Sequence, residues 1–274
     1  PATRAGAKLA DLVRRMEFTL HLEQRLAELA PGGGKIERRA NLSAGEFYER
    51  YYCANRPVVL TGMPMPAWTP QGLAERFGDV DVEICAERDG DPELLKNLSA
   101  HSRREPLRGF VERVLAAGET NDFYMVATNR NVDAGPLAAL IDEAPDFAGY
   151  FDRERRAAAH YLWFGPKGTR TPLHHDMHNL MFCQISGRKR FHLVSPRETR
   201  LLYHSDGFTA KLDAATLAGA HEVVLEPGEA LFLPIGWWHQ VQALDVAISF
   251  SLTNFVLPTE FEGLVGSLIR EPLI

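Results

Sequence analysis

The chain has 274 residues, of which 45% are hydrophobic, and 30 basic against 36 acidic side chains give it a net charge of −6. This length fits one domain with a sizeable core, alone or with an appendage. The acidic balance argues against a nucleic-acid partner, and the lack of any long apolar run argues against a membrane span.

Helical patterns dominate the first half of the chain. Apolar residues recur at three- and four-residue steps from about Ala7 to Leu29, which predicts an amphipathic helix that covers the core or pairs with its copy in a dimer. A Pro-Gly-Gly-Gly run at 31–34 ends this helix as a linker. Ser43 and Glu46 form a capping box that predicts the start of a second helix. The other predicted elements are strands at 56–60 and 80–85, helices at 106–116 and 136–141, and an extended segment at 123–127.

The second half has a different pattern, in which short apolar runs alternate with Gly and Pro between Tyr161 and Phe255. The predicted strands lie at 161–164, 180–185, 188–194, 222–225, 230–233, 239–243 and 246–252. Closely spaced short strands of this kind predict an antiparallel sandwich or barrel.

The three cysteines, Cys53, Cys85 and Cys183, are widely separated and contain no C-x-x-C pair. This spacing argues against a disulfide scaffold and against a cysteine zinc site. The first eight residues lack the apolar stretch of a signal peptide. We therefore expect a cytoplasmic protein.

Residues 171–176, Thr-Pro-Leu-His-His-Asp, are the most informative stretch for chemistry. On a strand, His174 and Asp176 point to one face and His175 to the other. An imidazole and a carboxylate at this spacing make two thirds of a facial metal triad, and His239, at the start of a later extended run, fits as the third ligand. Two histidines and one carboxylate on one side of an iron ion leave the opposite positions open, as in non-haem Fe(II) oxygenases.

Lys189 gives a second indication, because strand alternation places it on one face with Phe191 and Leu193. A lysine on an apolar face is costly to bury unless it meets an anion. A dicarboxylate co-substrate would supply one, with its keto-acid end on the iron and its far carboxylate on the lysine. The competing interpretation is an ordinary hairpin charge beside Arg188 and Arg190.

Five motifs occur in order: N-R-P-V-V-L-T-G at 55–62 with Trp68 downstream, T-P-x-H-x-D at 171–176, Q-x-x-G-x-K-R at 184–190, P-G-E at 227–229, and P-x-G-W-W-H at 234–239. With this combination, over roughly Asn41 to Leu257, the chain resembles the Jumonji C hydroxylases of the cupin superfamily. Within them it is most similar to the cupin-like group that includes the asparaginyl hydroxylase acting on hypoxia-inducible factor.

The resemblance implies a mainly β fold with surrounding helices, the double-stranded β-helix or jelly-roll barrel of cupins. It implies Fe(II) as the metal, with 2-oxoglutarate and O2 as co-substrates. The residues that match the family's metal ligands are His174, Asp176 and His239. Those that match its 2-oxoglutarate-binding positions are Tyr124, Thr171, Lys189 and Asn254. Trp163, Phe182 and Trp238 are expected to form walls of the pocket.

The chain departs from the family pattern at one position. The family usually has an asparagine four residues after the metal aspartate, where this chain has Leu180, with Asn179 one place earlier. Asn179 is therefore not assigned to the site. The resulting domain organisation is an N-terminal amphipathic helix and Gly-rich linker at 1–40, a catalytic domain at 41–257 and a helical tail at 258–274.

The expected function is Fe(II)- and 2-oxoglutarate-dependent hydroxylation of a side chain in a protein or peptide. Two alternatives remain: the same chemistry on a small metabolite or a modified tRNA base, and a metal-binding cupin scaffold without turnover. Lysine demethylation ranks below hydroxylation, because nothing in the sequence points to a methyl-ammonium cage. The expected partners are a protein or peptide substrate and a second copy of the chain in a homodimer. No membrane partner is expected, and a nucleic acid is less expected than a protein.

Overall fold

The computed structural model of the protein describes residues 4–30, 32–155 and 159–258. Its first half mixes helices with short strands: α1 Arg4–Leu29, β1 Glu37–Ala40, α2 Ala44–Phe47, a π-helical turn Tyr48–Tyr52, β2 Val58–Thr61, α3 Pro70–Phe77, β3 Asp81–Ala86, β4 Ser102–Pro106, α4 Leu107–Ala116, β5 Phe123–Tyr124 and α5 Ala139–Asp142. Short 3-10 turns lie at Leu98–His101, Ala127–Asn129, Pro136–Ala138 and, in the second half, Ala214–Thr216.

The second half consists mainly of short strands: β6 His160–Gly165, β7 Arg170–His174, β8 Leu180–Ser186, β9 Lys189–Val194, β10 Ser205–Asp206, β11 Thr209–Ala210, β12 His221–Leu225, β13 Ala230–Leu233, β14 Trp238–Ala243 and β15 Ala247–Leu252. The helix α6 Thr199–His204 lies between β9 and β10, and β7, β10 and β11 lie outside the predicted apolar runs. Each predicted strand of this half is confirmed to within two residues at its ends. Short apolar runs bounded by turn residues were sufficient signals because these strands are short and closely spaced.

These strands form two six-stranded sheets with the orders β1-β2-β13-β8-β15-β6 and β10-β11-β7-β14-β9-β12, beside a three-stranded sheet β4-β3-β5. Pairing within the two large sheets is antiparallel except for β1 with β2. The predicted double-stranded β-helix with surrounding helices is confirmed.

Two apolar clusters explain why the helices surround the barrel on one side. The barrel interior is filled from both large sheets by buried residues that include Val59, Phe182, Phe191, Leu225 and Leu231. A larger cluster lies between the first sheet and the helices, and it includes Phe47 of α2, Phe110 of α4 and Phe250 of β15. The first sheet is therefore covered on both faces, which is why all six residues of β15 are buried, Ser249 and Ser251 included.

Two local predictions turn out differently. Ser43 caps α2 as expected, accepting a hydrogen bond from the Glu46 N–H at 3.2 Å, whereas the Glu46 carboxylate binds Arg39 and Arg50. Strand β1 lies within the segment predicted as helix and linker. The polar sequence of β1 shows no alternation, because this edge strand is held by backbone pairing with β2 and by side-chain ion pairs.

The predicted N-terminal helix is present as α1, and none of its residues is buried. It meets the barrel through polar contacts, His21 Nε2 with Thr199 Oγ1 at 3.1 Å and Glu23 with Arg197 at 3.2 Å. The large apolar residues that it exposes are Leu9, Leu12, Met16, Phe18, Leu22, Leu26 and Leu29. Among the described helices, none has the length and apolar character needed to cross a membrane. The predicted tail lies outside the described residues from position 259 onward.

Candidate functional site

Three side chains that could hold a metal meet at one end of the second large sheet. His174 is the last residue of β7, Asp176 follows it by two residues, and His239 lies opposite His174 on the neighbouring strand β14. One ligand atom from each residue lies within 4.8 Å of the other two. The two imidazole rings are 4.0 Å apart at their centroids, and His239 Nε2 lies 3.6 Å from Asp176 Oδ2. The structure therefore brings together the three predicted metal ligands.

Backbone hydrogen bonds fix which nitrogen of each histidine is free. His174 Nδ1 lies 2.8 Å from the carbonyl of Pro172, and His239 Nδ1 lies 3.0 Å from the carbonyl of Trp237. A carbonyl only accepts, so Nδ1 carries the proton in both rings and donates it. Each Nε2 then keeps its lone pair free, which is the tautomer that a metal ligand needs.

The charges of the cluster also suit a cation. Burial lowers the pKa of His239 to about 3, with a further contribution from His174, so its imidazole is neutral at physiological pH. Burial opposes the charge of Asp176, but the surrounding imidazoles outweigh it and its pKa lies below the usual value. Two imidazole nitrogens and one carboxylate oxygen form a donor set for a divalent metal such as Fe(II).

The turn before His239 is held by side chains from distant segments. The buried Asn179 accepts a hydrogen bond through Oδ1 from the Ile235 N–H at 2.9 Å, and Asn55 donates to the Ile235 carbonyl at 3.0 Å. Both asparagines therefore position the strand that carries His239. The sequence analysis assigned this role to neither residue. The one-residue offset of Asn179 from the family pattern and the place of Asn55 in a motif do not show which backbone group each side-chain amide binds.

The metal cluster lines a cavity of about 570 Å³ whose other end holds a buried lysine. Lys189 is 1% exposed and its Nζ donates a hydrogen bond to Tyr124 Oη at 2.8 Å. Thr171 lines the same cavity. Burial on one face with Phe191 and Leu193, predicted from strand alternation, is confirmed by the pattern of β9. The buried Gln184 holds the β8–β9 turn by donating to the carbonyls of Ser186 and Gly187 at 2.8 and 2.9 Å.

No carboxylate in the described part of the chain forms an ion pair with Lys189. Its ammonium instead lies 5.3 Å from the centroid of the Tyr124 ring, 5.0 Å from that of Phe182 and 5.9 Å from that of Trp163. Burial lowers the pKa of Lys189 to about 7 and raises that of Tyr124 far above its usual value. The lysine and the tyrosine hydroxyl together form a site that a carboxylate would complete.

Two other expected residues lie elsewhere. Trp238 is not a wall of the cavity: consecutive strand residues point to opposite faces, so Trp238 packs with Leu173 and Val194 while His239 faces the cavity. Asn254 is not among the described residues that line the cavity. Its amide donates to the Asp152 carbonyl at 2.9 Å and its Oδ1 is buried without a hydrogen-bond partner. Its role beside the co-substrate stays a prediction.

Trp163 and Phe182 do line the cavity, as predicted. The structure adds lining residues that sequence reasoning missed, among them Arg88, Arg130 and Tyr161. Arg88 and Arg130 lie in loops without a motif, and only the fold shows that these loops reach the cavity. Tyr161 lies in β6 on the same face as Trp163, so strand alternation was a signal for it.

Comparison with known proteins identifies the family of the chain. A family model described as a cupin-like domain matches residues 44–254. The chain belongs to the cupin-like domain family. Among curated relatives, it is 38% identical to lysine-specific demethylase 8 of Xenopus tropicalis over 76% of this chain and 50% of that protein. It is 29% identical to lysine-specific demethylase JMJ30 of Arabidopsis thaliana over 79% of this chain and 54% of that one.

Another relative of this cupin-like chain, tRNA wybutosine-synthesizing protein 5 of Danio rerio, is 25% identical over 78% of this chain and 73% of that protein. A solved structure of YcfD, a ribosomal oxygenase from Escherichia coli in complex with cobalt and 2-oxoglutarate, aligns with a TM-score of 0.47 at 24% identity, over 82% of this chain and 54% of that one. The chain spans about half the length of the two demethylase relatives.

Proposed function

We propose that the protein is an Fe(II)- and 2-oxoglutarate-dependent dioxygenase that hydroxylates a side chain in a protein or peptide. One observation carries the proposal: the three metal-ligating groups, with donor atoms within 4.8 Å of one another, share a cavity with the buried Lys189–Tyr124 pair. A molecule with a chelating keto acid at one end and a carboxylate at the other fits both groups.

When bound, Fe(II) with 2-oxoglutarate and O2 would supply the oxidising chemistry, one oxygen atom entering the target and 2-oxoglutarate being converted to succinate and CO2. The protein's own residues provide binding and orientation. His174, Asp176 and His239 would hold the metal, and the hydrogen bonds from Nδ1 of the two histidines to backbone carbonyls leave each Nε2 free to bind it. Lys189 and Tyr124 would bind the far carboxylate, with Thr171 beside them and Asn254 assigned to the metal-bound end by resemblance alone.

The charges that line the cavity favour hydroxylation of an uncharged side chain over lysine demethylation. Among the described lining residues, Asp176 is the only carboxylate, whereas Arg88, Arg130 and Lys189 are cationic. A methylated lysine is a cation and would find no counter-charge beyond the metal ligand itself. The names of the demethylase relatives therefore do not decide the reaction, and the finer likeness to the asparaginyl hydroxylase group stays a prediction.

A modified tRNA base is the second candidate target. It is favoured by similarity to a wybutosine-synthesizing protein, of which the alignment covers 73%. The net charge of −6 opposes it. Binding of tRNA that falls steeply with added salt, together with succinate formation that depends on tRNA, would support this target over a protein.

The proposal is tested by anaerobic titration with Fe(II) and 2-oxoglutarate, which should produce a visible metal-to-ligand charge-transfer band. The variant Asp176→Ala should lose the band. The matched control His178→Ala should keep it, since His178 lines the cavity but lies outside the metal cluster. Lack of a band in the wild type, or an unchanged band in Asp176→Ala, would contradict the assignment. Bound metal without any succinate formation would favour the scaffold alternative.

The target can be sought by trapping cellular proteins on the enzyme and comparing their masses after incubation with wild type and with His174→Ala. The addition of one oxygen atom by the wild type only is the expected result. A small-metabolite target would instead show the added oxygen in the low-molecular-mass fraction.

A homodimer is also part of the proposal, because α1 exposes large apolar residues that a second copy of the chain would cover. Sedimentation equilibrium measures the oligomeric state directly.

A further inference from the structure

A second buried cation, Arg88, lines the cavity beside Lys189 and belongs to none of the motifs. It follows β3 and is only 2% exposed. Its Nη2 donates to the Arg170 carbonyl at 2.8 Å and its Nη1 to the Asn121 carbonyl at 3.4 Å, while its Nε is buried without a hydrogen-bond partner. Arg88 thus joins the loop after β3 to the first residue of β7.

The charge of Arg88 is not balanced by a contacting carboxylate. Among the described residues, none forms an ion pair with it, and Asp89 and Asp122 act on it only through longer-range attraction. Burial lowers the pKa of Arg88, but a guanidinium starts so high that it stays charged. Burying a cation without a counter-charge destabilises a protein, so such a residue points to an anion that binds nearby.

Arg88 and Lys189 both lie against the ring of Tyr124. The guanidinium carbon of Arg88 is 5.1 Å from the ring centroid, and Lys189 Nζ is 5.3 Å from it. Two cations against one ring fix its orientation and hence the position of the Tyr124 hydroxyl. Arg88 also holds the Arg170 carbonyl, which is one residue before Thr171. Arg88 is therefore linked to each residue expected to bind the far carboxylate of 2-oxoglutarate. It contacts Tyr124 directly, Lys189 contacts the same ring, and Thr171 follows the residue whose carbonyl Arg88 binds.

We propose that Arg88 is a positioning residue of the dicarboxylate site: it fixes the Tyr124 ring and the start of β7, and its charge adds to that of Lys189 in the same cavity. This inference rests on the proposed 2-oxoglutarate dependence. It differs from a purely structural role in one respect, because it predicts selective loss of affinity for ligands that carry a far carboxylate.

The test compares two ligands by calorimetric titration of the Mn(II)-loaded protein. Oxalate chelates a metal but lacks the far carboxylate, whereas 2-oxoglutarate has both groups. In Arg88→Gln, which keeps a donor and removes the charge, we expect about tenfold or greater loss of 2-oxoglutarate affinity and an oxalate affinity within about twofold of wild type. Arg88→Lys, which restores the charge, should recover part of the loss.

Arg130→Met is the matched control, because Arg130 lines the same cavity but is exposed and paired with Asp133. It should bind both ligands as the wild type does. Unchanged 2-oxoglutarate affinity in Arg88→Gln, or equal losses for both ligands, overturns the inference. If Arg88→Gln does not fold, Arg88→Lys decides the test through the ratio of its 2-oxoglutarate affinity to its oxalate affinity. A ratio equal to that of the wild type overturns the inference. Failure of the wild type to bind 2-oxoglutarate at all would instead contradict the proposed function.

Discussion

Trp237 and Asn55 are hydrogen-bonded although 182 residues separate them in sequence: the indole N–H lies 2.8 Å from Asn55 Oδ1 and 2.9 Å from its backbone carbonyl. Asn55 holds φ at 49°, a left-handed conformation that asparagine tolerates better than most residues. The loop before β2 is thereby tied to the turn that precedes His239. The metal cluster consequently depends on a residue that contacts none of its three members.

Removing the Asn55 amide should destabilise the protein and weaken metal binding. Asn55→Gly keeps the left-handed backbone accessible and the backbone acceptor of the Trp237 N–H, but it removes the side-chain acceptor of that N–H and the donor to the Ile235 carbonyl. The expected loss is about 1–3 kcal/mol of unfolding free energy. Urea unfolding and Mn(II) titration measure the two effects. Asn41→Gly is the control, since Asn41 is also left-handed but exposed. Equal behaviour of the two variants would show that the Asn55 amide has no such role.

Affinity for 2-oxoglutarate should fall as the pH rises from 6 to 9. Burial holds the pKa of Lys189 at about 7 in the ligand-free protein, so the ammonium that binds a carboxylate is present below this pH and lost above it. A bound carboxylate raises the pKa of Lys189, so binding takes up at most one proton, and the affinity falls by no more than about tenfold per pH unit. Calorimetric titration across this range is the measurement, and Lys189→Arg, charged throughout, should give a flatter curve. A wild-type affinity independent of pH would contradict the prediction.

Without ligand, Lys189→Met should be more stable than the wild type. A folded-state pKa of about 7 lies below the unfolded value, so between these values the unfolded chain binds more protons and stability rises with pH. At pH 7 a buried cation without a counter-charge therefore destabilises the fold, and an apolar side chain of similar length removes this cost. Thermal unfolding at pH 7 should show a higher Tm for Lys189→Met and no change for Lys167→Met, whose charge is exposed. A lower Tm for Lys189→Met would show that its hydrogen bond to Tyr124 outweighs the cost of burial.

Gly165→Ala should weaken 2-oxoglutarate binding through Tyr124. A Cβ at Gly165 would lie 2.6 Å from Tyr124 Cδ2, and the buried ring lies against Arg88 and Lys189, so it has little room to move. We expect about 1–3 kcal/mol of destabilisation and reduced affinity for 2-oxoglutarate. Gly118→Ala, at a position with open space around it and without a positive φ, should leave 2-oxoglutarate binding unchanged. Normal 2-oxoglutarate affinity in Gly165→Ala would show that the hydroxyl of Tyr124 is not needed where the structure places it.

The sequence by itself determined the strands of the second half and the candidate metal ligands. Short antiparallel strands show themselves through alternation and turn residues, as in β9, where the alternation alone indicates that Lys189 is buried. The joint assignment of His174 and His239 as metal ligands followed from motifs, which are defined by residue spacing along the chain. Strand alternation and motif spacing are both properties of the linear sequence.

Only the tertiary structure decided which side chains support these groups. Arg88 meets two carbonyls and an aromatic ring from three other segments, and Asn179 meets the Ile235 N–H across 56 residues. Strand β1 has no pattern of its own, because its partner β2 and its ion pairs hold it in place. In each of these cases the stabilising interaction is a hydrogen bond or a charge contact between segments, and local residue spacing does not specify which groups will meet.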